Sequence, residues 1–384
     1  MFRGSGAGNN TRGCIVQIVL SKLGKIGIDR VVINSFKVLN FDDLEKKEIV
    51  RSQDVTEIIE VKDDMYTLIY SRKMKANNEI YSYSTLEFNP CKIADGHNIY
   101  NANSNELKNT IIGIINNLKT RGIDIDISEA KIKEIEINIT LPLSFDQLQE
   151  IILLIGRANY KKALGMYSFN NEDIPGMIKK DRSLYLNSGK ENTGKVIKIY
   201  DKTFEIYSKQ GIMLDENLTR LEVLFGQDYY RSTLERIGLD NDLKTFIANN
   251  ITSGIFRQAI ETEIVLRPQK YISVIKKRLL DEFLNFRRNE KFKREYREKL
   301  KIQGKEIPEE YKEERGVFEY LKKEAWIFDC DFLIEIVNRN IPSKRRYDYI
   351  KQIEKKYKNI KNMALLKDFY KKILGDFFYP TNPK

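Results

Sequence analysis

Residues 133–143 have the sequence KEIEINITLPL, and their alternation indicates the kind of structure that the first part of the chain forms. An isoleucine stands at every second position, and an acid or an amide stands between. The isoleucines are Ile135, Ile137 and Ile139, and the polar residues are Glu134, Glu136 and Asn138. Successive side chains of a β-strand point to opposite faces, so the pattern predicts a strand with one buried face and one polar face.

Similar strand patterns occur on both sides of this stretch. They are rich in β-branched and aromatic residues, which favour strands. The predicted strands are RVVINSFKV, YTLIYSRK and EIYSYSTLEF before it, and SLYLNSG, GKVIKIYDK and TRLEVLFG after it. Because strands with one polar face are typical of antiparallel sheets, we expect a central antiparallel sheet.

Two helices interrupt the strands. SNELKNTIIGIINNLKTRG predicts a helix with Ser104 or Asn105 as the N-cap and Gly122 as the stop signal. SFDQLQEIILLIGRANYKKAL predicts a second helix, which Ser144 and Gln147 open as a capping box. The whole order predicts an α+β fold, in which helices cover one face of the antiparallel sheet.

The chain divides into three predicted regions. Residues 1–24 form an N-terminal extension that is Gly/Asn-rich at its start and in part disordered. Residues 25–240 hold the α+β domain. Residues 241–384 predict a mostly helical domain, which Pro268, Pro308 and Pro342 punctuate.

The positive charge of the chain is concentrated in its last third. The net charge is +11, and the part from Arg267 onward carries 31 Lys and Arg against 19 Asp and Glu. A localised basic surplus favours a nucleic-acid partner, since neutralising phosphates releases counterions. The other interpretation is a solvated, Lys-rich helix surface. A basic membrane-surface helix is less favoured, because the charged stretches are rich in glutamate and have no clean apolar face.

The sequence predicts a cytoplasmic protein with no membrane association. No apolar run approaches the ~18 residues of a membrane span, and no cleavage site follows the short apolar piece near the N-terminus. The three cysteines, Cys14, Cys91 and Cys330, are far apart and form no paired motif. Such spacing is typical of a reducing compartment.

Candidate metal ligands are spread over the predicted sheet. His97, in ADGHNIYN (94–101), is the only histidine. Glu87 ends a predicted strand, Glu136 lies on the polar face of the opening stretch, and Glu222 lies in TRLEVLF. Imidazole and carboxylates are suitable ligands for a divalent cation. Taken singly, a loop histidine or a strand carboxylate is more often an ordinary surface residue.

Candidate catalytic residues lie in the two strands that follow. Tyr200 has Lys198 and Lys202 two residues to either side, and Arg220 stands beside Glu222 on one face. A tyrosine hydroxyl becomes a nucleophile when a base or a metal activates it, and lysine neutralises a phosphate that gains charge. These residues suit phosphoryl transfer on DNA. The composition and spacing alone predict a nucleic-acid-binding α+β protein and do not predict a reaction.

Three stretches in order resemble the filamentous-phage gene II-type replication initiators, a family of rolling-circle replication endonucleases. They are LEFNPCKIADGHNIYN, KVIKIYDKTFEI and NLTRLEVLFGQDYYRSTLERIGL, and the opening GIDRVVIN is similar to the N-terminal strand of that family. The resemblance runs from about residue 28 to about residue 240. The second and third stretches are also similar to the initiators of staphylococcal rolling-circle plasmids.

The resemblance implies an origin-nicking endonuclease that forms a 5′-phosphotyrosine link and leaves a free 3′-hydroxyl as primer. Residues 25–240 then form the catalytic domain, with Tyr200 as nucleophile and Lys198 and Lys202 at the phosphate. The resemblance also implies Mg²⁺ or Mn²⁺ on His97, with carboxylates taking the place of the second histidine common in the wider superfamily. Glu136, Glu87 and Glu222 are the candidates.

The implied partners are single-stranded or hairpin origin DNA, together with a host helicase and polymerase. Expected DNA contacts lie near the site and in the basic tail: Asn98, Arg220, Arg278, Arg287, Arg288, Lys344, Arg345 and Arg346. The oligomeric state stays open.

Three alternatives remain. The plasmid initiators place their tyrosine after the Arg-x-Glu strand, which makes Tyr229 or Tyr230 the nucleophile. A non-catalytic origin-binding or copy-control protein on a degenerate initiator fold is the second. A tyrosine recombinase is disfavoured, since its chemistry needs an Arg/His set near a late tyrosine and no histidine follows His97.

Overall fold

The computed structural model describes residues 15–20, 23–51, 54–95, 99–159, 163–164, 182–187, 194–249, 252–312, 330–357 and 361–375. The chain forms two compact units. The first comprises residues 1–147 and 159–262, and the second comprises residues 148–158 and 263–384.

Fourteen strands lie in the described part of the chain, all within the first unit. In chain order they are β1 (Ile15–Val16), β2 (Ile26–Asn34), β3 (Lys37–Val38), β4 (Lys47–Arg51), β5 (Asp54–Lys62), β6 (Tyr66–Met74), β7 (Ile80–Phe88), β8 (Ile125–Asp126), β9 (Lys131–Leu141), β10 (Ala163–Leu164), β11 (Ser183–Leu186), β12 (Lys195–Asp201), β13 (Met213–Leu214) and β14 (Thr219–Gly226).

The described helices follow the same order. They are α1 (Pro90–Asp95), α2 (Ser104–Thr120), α3 (Phe145–Ala158), α4 (Lys202–Gln210), α5 (Gln227–Glu235), α6 (Leu243–Asn249), α7 (Thr252–Ile260), α8 (Arg267–Ile302), α9 (Glu309–Lys312), α10 (Cys330–Asn340), α11 (Ser343–Tyr357) and α12 (Asn362–Leu374). A 3-10 turn spans Phe41–Asp43, and a π-helical turn spans Glu261–Leu266.

Ten of the strands form one sheet in the order β10-β11-β12-β14-β9-β2-β7-β6-β5-β4. Every neighbouring pair in this sheet is antiparallel. The predicted fold class is therefore confirmed: an α+β arrangement with a central antiparallel sheet and helices, followed by a mostly helical C-terminal region.

Strand β9, which contains the alternating residues 133–141, lies in the middle of this sheet. Ile135, Ile137 and Ile139 stand opposite Phe225, Val223 and Leu221 of β14, so the apolar side chains of both strands share one face. All six are buried. The alternation therefore aligns across the strands and leaves acids, amides and cations on the opposite face, which we call the polar face.

Helices pack on the apolar face of the sheet. Lys195 projects from β12 on this face, and its Nζ donates a 2.7 Å hydrogen bond to the carbonyl of Ala259 in α7. Phe225 of β14 lies 6.0 Å from the ring of Tyr229 in α5. Buried side chains of α7, including Ile255 and Phe256, complete this part of the core.

The polar face is covered near β2 by residues 99–102. The backbone groups of Ile28 and Ala102 exchange two hydrogen bonds, of 2.8 and 3.2 Å. Gly27 permits this approach, because a Cβ atom there would lie 2.5 Å from the Cβ of Asn101. Ile99 is held in a small core with Ile206 and Leu218.

Helix boundaries differ from the sequence predictions at three places. The N-cap of α2 is Asn103, whose side chain accepts from the backbone N–H of Asn105 and of Glu106, so neither Ser104 nor Asn105 has this role. Lys202 opens α4 and does not continue the strand, because Asp201 caps that helix by accepting from the backbone N–H of Phe204.

The third difference concerns α3, which ends at Ala158. Ala163 and Leu164 pair with β11, so the predicted helix does not reach these residues. The sheet edge offers their backbone groups partners that a lone helical turn does not, and tertiary pairing outweighs the local helix preference.

The second unit is built from helices. Leu333, Ile336, Val337, Ile341 and Ile353 form a hydrophobic core between α10 and α11. Helix α8 is 36 residues long, and its Tyr296 packs against Phe292 and against Tyr311 of α9. Among the helices that the structure describes, none has both the length and the apolar character that a membrane crossing requires.

Candidate active site

Three carboxylates converge on the polar face of the sheet. Asp29 of β2, Glu136 of β9 and Glu222 of β14 each place an oxygen within 4.8 Å of those of the other two. All three residues are buried. Among the residues that the structure describes, this is the one group of three metal-ligating side chains so closely placed. We call it the carboxylate cluster.

Asp29 reaches this cluster because β2 is irregular there. Ile28 pairs with Ile137 and Arg30 pairs with Glu136, so two steps along β2 match a single step along β9. A shift of this kind is a β-bulge, which re-aims a side chain. The side chains of Asp29 and Arg30 consequently both reach groups on the polar face.

Lys198 of β12 bridges two members of the cluster. Its Nζ lies 2.5 Å from Oε1 of Glu136 and 2.7 Å from Oε1 of Glu222. The Lys198 side chain is 21% exposed, whereas the two carboxylates are almost fully buried. A buried charge is costly unless it is paired, so the ammonium stabilises two acids that would otherwise repel each other.

Burial and neighbouring charges give the two glutamates different pKa values. Burial raises the pKa of Glu136, and the nearby carboxylate of Glu222 raises it further. Burial also opposes ionisation of Glu222, but Lys198, the hydrogen bond with Glu136 and Arg220 together lower its pKa. Within the pair, Glu222 is therefore the more readily ionised carboxyl and Glu136 the more readily protonated one.

Tyr200 lies next to the charged member of this pair. Its hydroxyl donates a 3.1 Å hydrogen bond to Oε2 of Glu222. Burial and the negative charge of Glu222 raise the pKa of Tyr200 well above its ordinary value. The tyrosine is therefore neutral, and its proton is already directed at a carboxylate oxygen.

Lys202 supplies a second cation beside Tyr200. Its Nζ is 5.7 Å from the centroid of the Tyr200 ring and 2.6 Å from Oε2 of Glu205. The side chain is fully buried. Burial, with a contribution from Arg220, lowers the pKa of Lys202 to about 8.

Arg220 links the cluster to the segment that covers the polar face. Its Nε donates to Oγ1 of Thr140 and its Nη2 donates to the carbonyl oxygen of Ile99, both at 2.9 Å. Its Nη1 lies 3.4 Å from Oδ2 of Asp29. Arg220 is fully buried, and its planar donors position residue 99. Burial raises the pKa of Asp29, and the charge of Arg220 offsets part of that rise.

Asn138 carries unused hydrogen-bonding capacity at the same place. It lies directly opposite Glu222 in the β9–β14 register and two residues from Glu136, hence on the polar face. The residue is fully buried, and neither its Oδ1 nor its Nδ2 has a hydrogen-bond partner in the described part of the chain. Buried amides are normally paired, so this side chain is available to a ligand.

Several predicted site residues are brought together and others are not. Lys198, Tyr200, Lys202, Arg220, Glu136 and Glu222 all lie at or next to the cluster. Glu87 does not: it forms a 2.6 Å ion pair with Nε of Arg30 and is 45% exposed. His97 and Asn98 lie outside the described residues.

The alternative tyrosines lie on the other side of the sheet. Tyr229 packs against Phe225, three residues from Glu222, and odd and even positions of a strand face opposite ways. Tyr230 is fully buried against Phe246, and its hydroxyl has no partner among the residues that the structure describes. Neither hydroxyl is directed at the carboxylate cluster.

The predicted DNA contacts of the tail belong to the second unit. Arg287 and Arg288 lie on α8, as does Arg278, whose side chain is not described. Lys344 and Arg345 are exposed on the first turn of α11. The Nε of Arg346, by contrast, donates a 2.6 Å hydrogen bond to the carbonyl of Ile341 and closes the α10–α11 turn.

Sequence reasoning missed Asp29 and Asn138. An acid inside the apolar strand GIDRVVIN is a signal, because burial of an unpaired carboxylate is costly and implies a partner. Asn138 was placed on the polar face of its strand but was not recognised as a site residue. Its significance depends on having no partner, which only coordinates reveal.

The chain was also compared with known proteins. No protein-family model and no curated protein matches it. Among solved structures, it is similar to a rolling circle replication initiator protein from Geobacillus stearothermophilus, with 10% sequence identity and a TM-score of 0.30 over 62% of this chain and 84% of that one. A likeness this distant carries no weight for function, so the chemistry has to come from the side chains described above.

Proposed function

We propose that this chain is a metal-dependent DNA strand-nicking and ligating endonuclease that initiates rolling-circle replication, with Tyr200 as its nucleophile. The observation that carries the proposal is the hydrogen bond from the Tyr200 hydroxyl to Glu222 inside the carboxylate cluster. It combines a nucleophile, a proton acceptor and a group of oxygen ligands on one face of a rigid sheet.

The donor set fits a hard divalent cation such as Mg²⁺ or Mn²⁺. Asp29, Glu136 and Glu222 offer carboxylate oxygens, and the unpartnered amide of Asn138 offers a further oxygen. His97 precedes Ile99 by two residues, a span of at most about 7 Å between Cα atoms, so we retain it as a ligand. When bound, the ion would polarise the scissile phosphate.

The protein groups then divide the work of transesterification. The Tyr200 oxygen attacks the phosphorus and the bond to the 3′-oxygen breaks, which leaves a 5′-phosphotyrosine and a 3′-hydroxyl. Glu222 accepts the tyrosine proton, since the hydrogen bond already exists. Lys202, with a pKa of about 8, donates the proton that the leaving 3′-oxygen takes up.

Lys198 and Arg220 hold this arrangement in place. Lys198 keeps the two glutamates together, and Arg220 pairs with Asp29 and holds residue 99 in position. Tyr200 would be unreactive on its own, because its pKa is raised. Its activation is therefore assigned to the ligand-loaded cluster rather than to the free side chain.

The basic helical unit supplies affinity in this proposal. Its exposed Arg288, Lys344 and Arg345, together with the half-buried Arg287, would contact phosphates of single-stranded or hairpin origin DNA in the cytoplasm. A host helicase and polymerase would act on the nicked product.

The test is covalent trapping. The full chain is incubated with a 3′-labelled, randomised single-stranded DNA pool and Mn²⁺, and labelled adducts that survive denaturation are counted. We expect an adduct in the wild type and in Tyr229→Phe/Tyr230→Phe, and none in Tyr200→Phe. No adduct in any form of the protein, or an adduct that persists in Tyr200→Phe, would contradict the proposal.

A second candidate is a non-catalytic origin-binding or copy-control protein. One observation favours it: Lys198 already neutralises Glu136 and Glu222, so the cluster is also explained as a structural ion-pair network. In that case the chain binds DNA in a salt-sensitive manner, forms no adduct, and its melting temperature does not respond to Mn²⁺.

A further inference from the structure

The β6–β7 hairpin carries a row of exposed residues that includes two tyrosines. All four residues from Ile80 to Tyr83 are exposed. Tyr81 and Tyr83 are two residues apart on β7, so they point to the same side, and they are 50% and 49% exposed. An exposed aromatic ring presents a large apolar face, and burying that face against a partner is favourable.

This row faces the same way as the carboxylate cluster. Alternation along β7 puts both tyrosines on the side of Glu87. Glu87 forms an ion pair with Arg30, which also contacts Glu134, two residues from Glu136 on β9. The polar face therefore continues from the cluster, across β2, to the two tyrosines.

A lysine accompanies each ring. Nζ of Lys75 lies 4.4 Å from the ring centroid of Tyr81, and Nζ of Lys133 lies 5.5 Å from that of Tyr83. Lys133 also donates a 2.9 Å hydrogen bond to the Tyr83 hydroxyl. Lys73 stands directly opposite Tyr81 on β6.

Two acids share the area. The Tyr81 hydroxyl donates to Glu79 at 2.8 Å, and Glu79 lies 3.6 Å from the ammonium of Lys75. Asp54 pairs with Lys73 at 2.7 Å. These pairs are solvent-exposed and weak, so a phosphate can replace either acid at little cost.

Proteins commonly bind single-stranded nucleic acid with exposed aromatic rings and cations. Bases stack on the rings and the lysines contact the phosphates, without dependence on sequence. The two rings are separated by two strand residues, about 7 Å, which leaves room for a separate base at each ring. A duplex, whose bases are already stacked, has no free base face for them.

We propose that Tyr81 and Tyr83, with Lys75 and Lys133, form a stacking platform for single-stranded DNA on the polar face, which directs one strand to the carboxylate cluster. The direction of the strand rests on the proposed nicking function. The binding itself does not, and it is measured separately.

The experiment measures fluorescence anisotropy of 5′-fluorescein-dT12 with the full chain in EDTA, where no nicking occurs. Stacking contributes about 1–3 kcal/mol per base, so we expect Tyr81→Ala/Tyr83→Ala to weaken binding by at least about tenfold. Tyr81→Phe/Tyr83→Phe should bind like the wild type, because the rings remain. Tyr207→Ala is the matched control, since Tyr207 is an exposed tyrosine on α4, away from the hairpin.

Duplex DNA and salt complete the test. Binding of a blunt 12-base-pair duplex should not change in the double alanine variant. Lys75→Ala/Lys133→Ala should reduce the slope of log affinity against log salt by about 1.4, which corresponds to two single-strand phosphates. The proposal is overturned if the double alanine variant retains a wild-type melting temperature and binds dT12 as tightly as the wild type, or if duplex binding falls to the same extent.

The outcomes separate this inference from the nicking function. The DNA concentration that gives the half-maximal rate of adduct formation should rise about tenfold or more in Tyr81→Ala/Tyr83→Ala. If Tyr81→Ala/Tyr83→Ala loses dT12 binding and the wild type shows no nicking, the platform is supported and the enzyme is rejected. Nicking by the wild type, together with dT12 binding that is unchanged in Tyr81→Ala/Tyr83→Ala, supports the enzyme and rejects the platform.

Discussion

The hydroxyl of Tyr200 donates a 3.1 Å hydrogen bond to Oε2 of Glu222, and the same carboxylate accepts from Lys198 through its other oxygen. One glutamate thus orients a tyrosine and a lysine that stand two residues apart on the neighbouring strand. This relationship places the Tyr200 hydroxyl against a member of the carboxylate cluster, and the first prediction follows from it.

Replacing Tyr200 with Phe removes the proposed nucleophile and little else. We expect the covalent DNA adduct to disappear, dT12 affinity to stay within twofold, and the free energy of unfolding to fall by about 1 kcal/mol for the lost hydrogen bond. Adduct trapping, anisotropy and urea unfolding measure the three quantities. Tyr229→Phe is the control and should keep the adduct, since that ring packs against Phe225 on the other face.

Replacing Lys198 with Met leaves the glutamates without their shared cation. Breaking a buried pair costs about 3–5 kcal/mol, and the partial exposure of Lys198 places the expected loss at the lower end. Mn²⁺ should then raise the melting temperature of Lys198→Met more than that of the wild type, because the ion takes over the neutralisation.

The Glu136→Gln variant provides the comparison for this experiment. It removes a carboxylate ligand but keeps the shape of the side chain, so the response of the melting temperature to Mn²⁺ should shrink. If Mn²⁺ shifts neither variant nor the wild type, the cluster is a structural ion-pair network and the metal proposal fails.

Because Lys202 is buried, we expect the free energy of unfolding to increase at alkaline pH. Its pKa is about 8 in the folded state against 10.5 for the ordinary side chain. Between these values the unfolded chain binds more protons, so the free energy of unfolding should rise with pH from about 8 to about 10.5, by up to about 3 kcal/mol.

Urea unfolding of the wild type and of Lys202→Met across this pH range measures the effect. The methionine variant should lack the Lys202 part of the rise, because it has no proton to lose. Lys209→Met, a change at an exposed lysine that also contacts Glu205, is the matched control. Equal pH profiles in all three proteins would contradict a neutral Lys202 at high pH.

His97 remains a predicted ligand. His97→Ala should abolish adduct formation in Mn²⁺ and leave dT12 and duplex binding in EDTA unchanged, because the proposed role of His97 is to bind the metal and EDTA removes the metal. Wild-type levels of adduct in this variant, at limiting Mn²⁺, would remove His97 from the ligand set. The assay should be run at several Mn²⁺ concentrations, since a lost ligand is partly overcome by excess metal.

The exposed cations of α11 predict a salt effect. Lys344→Ala/Arg345→Ala should lower the slope of log duplex affinity against log salt by about 1.8, if each contacts one phosphate. Lys47→Ala/Lys62→Ala, at exposed lysines on β4 and β5, should change the slope much less. Equal slopes in both double variants would place duplex binding outside this helix.

Much of the fold could be predicted from local sequence patterns. Alternation in residues 133–143 and 219–226 predicted two strands with one apolar and one polar face, and the register aligns those faces. The ends of helices were harder to predict. Asn103 is the N-cap of α2, and Asp201 is the N-cap of α4, which begins at Lys202. Several neighbouring polar residues compete for a cap, and the choice depends on the path of the preceding chain.

The sequence by itself determined that Glu136, Lys198, Tyr200 and Glu222 project from polar strand faces, because side-chain direction in a strand depends only on position along it. Only the tertiary structure decided which of them meet. The strand order puts β2 beside β9, a bulge turns Asp29 into the cluster, and Glu87 pairs with Arg30 instead. These contacts join residues far apart in the chain, so no local pattern encodes them.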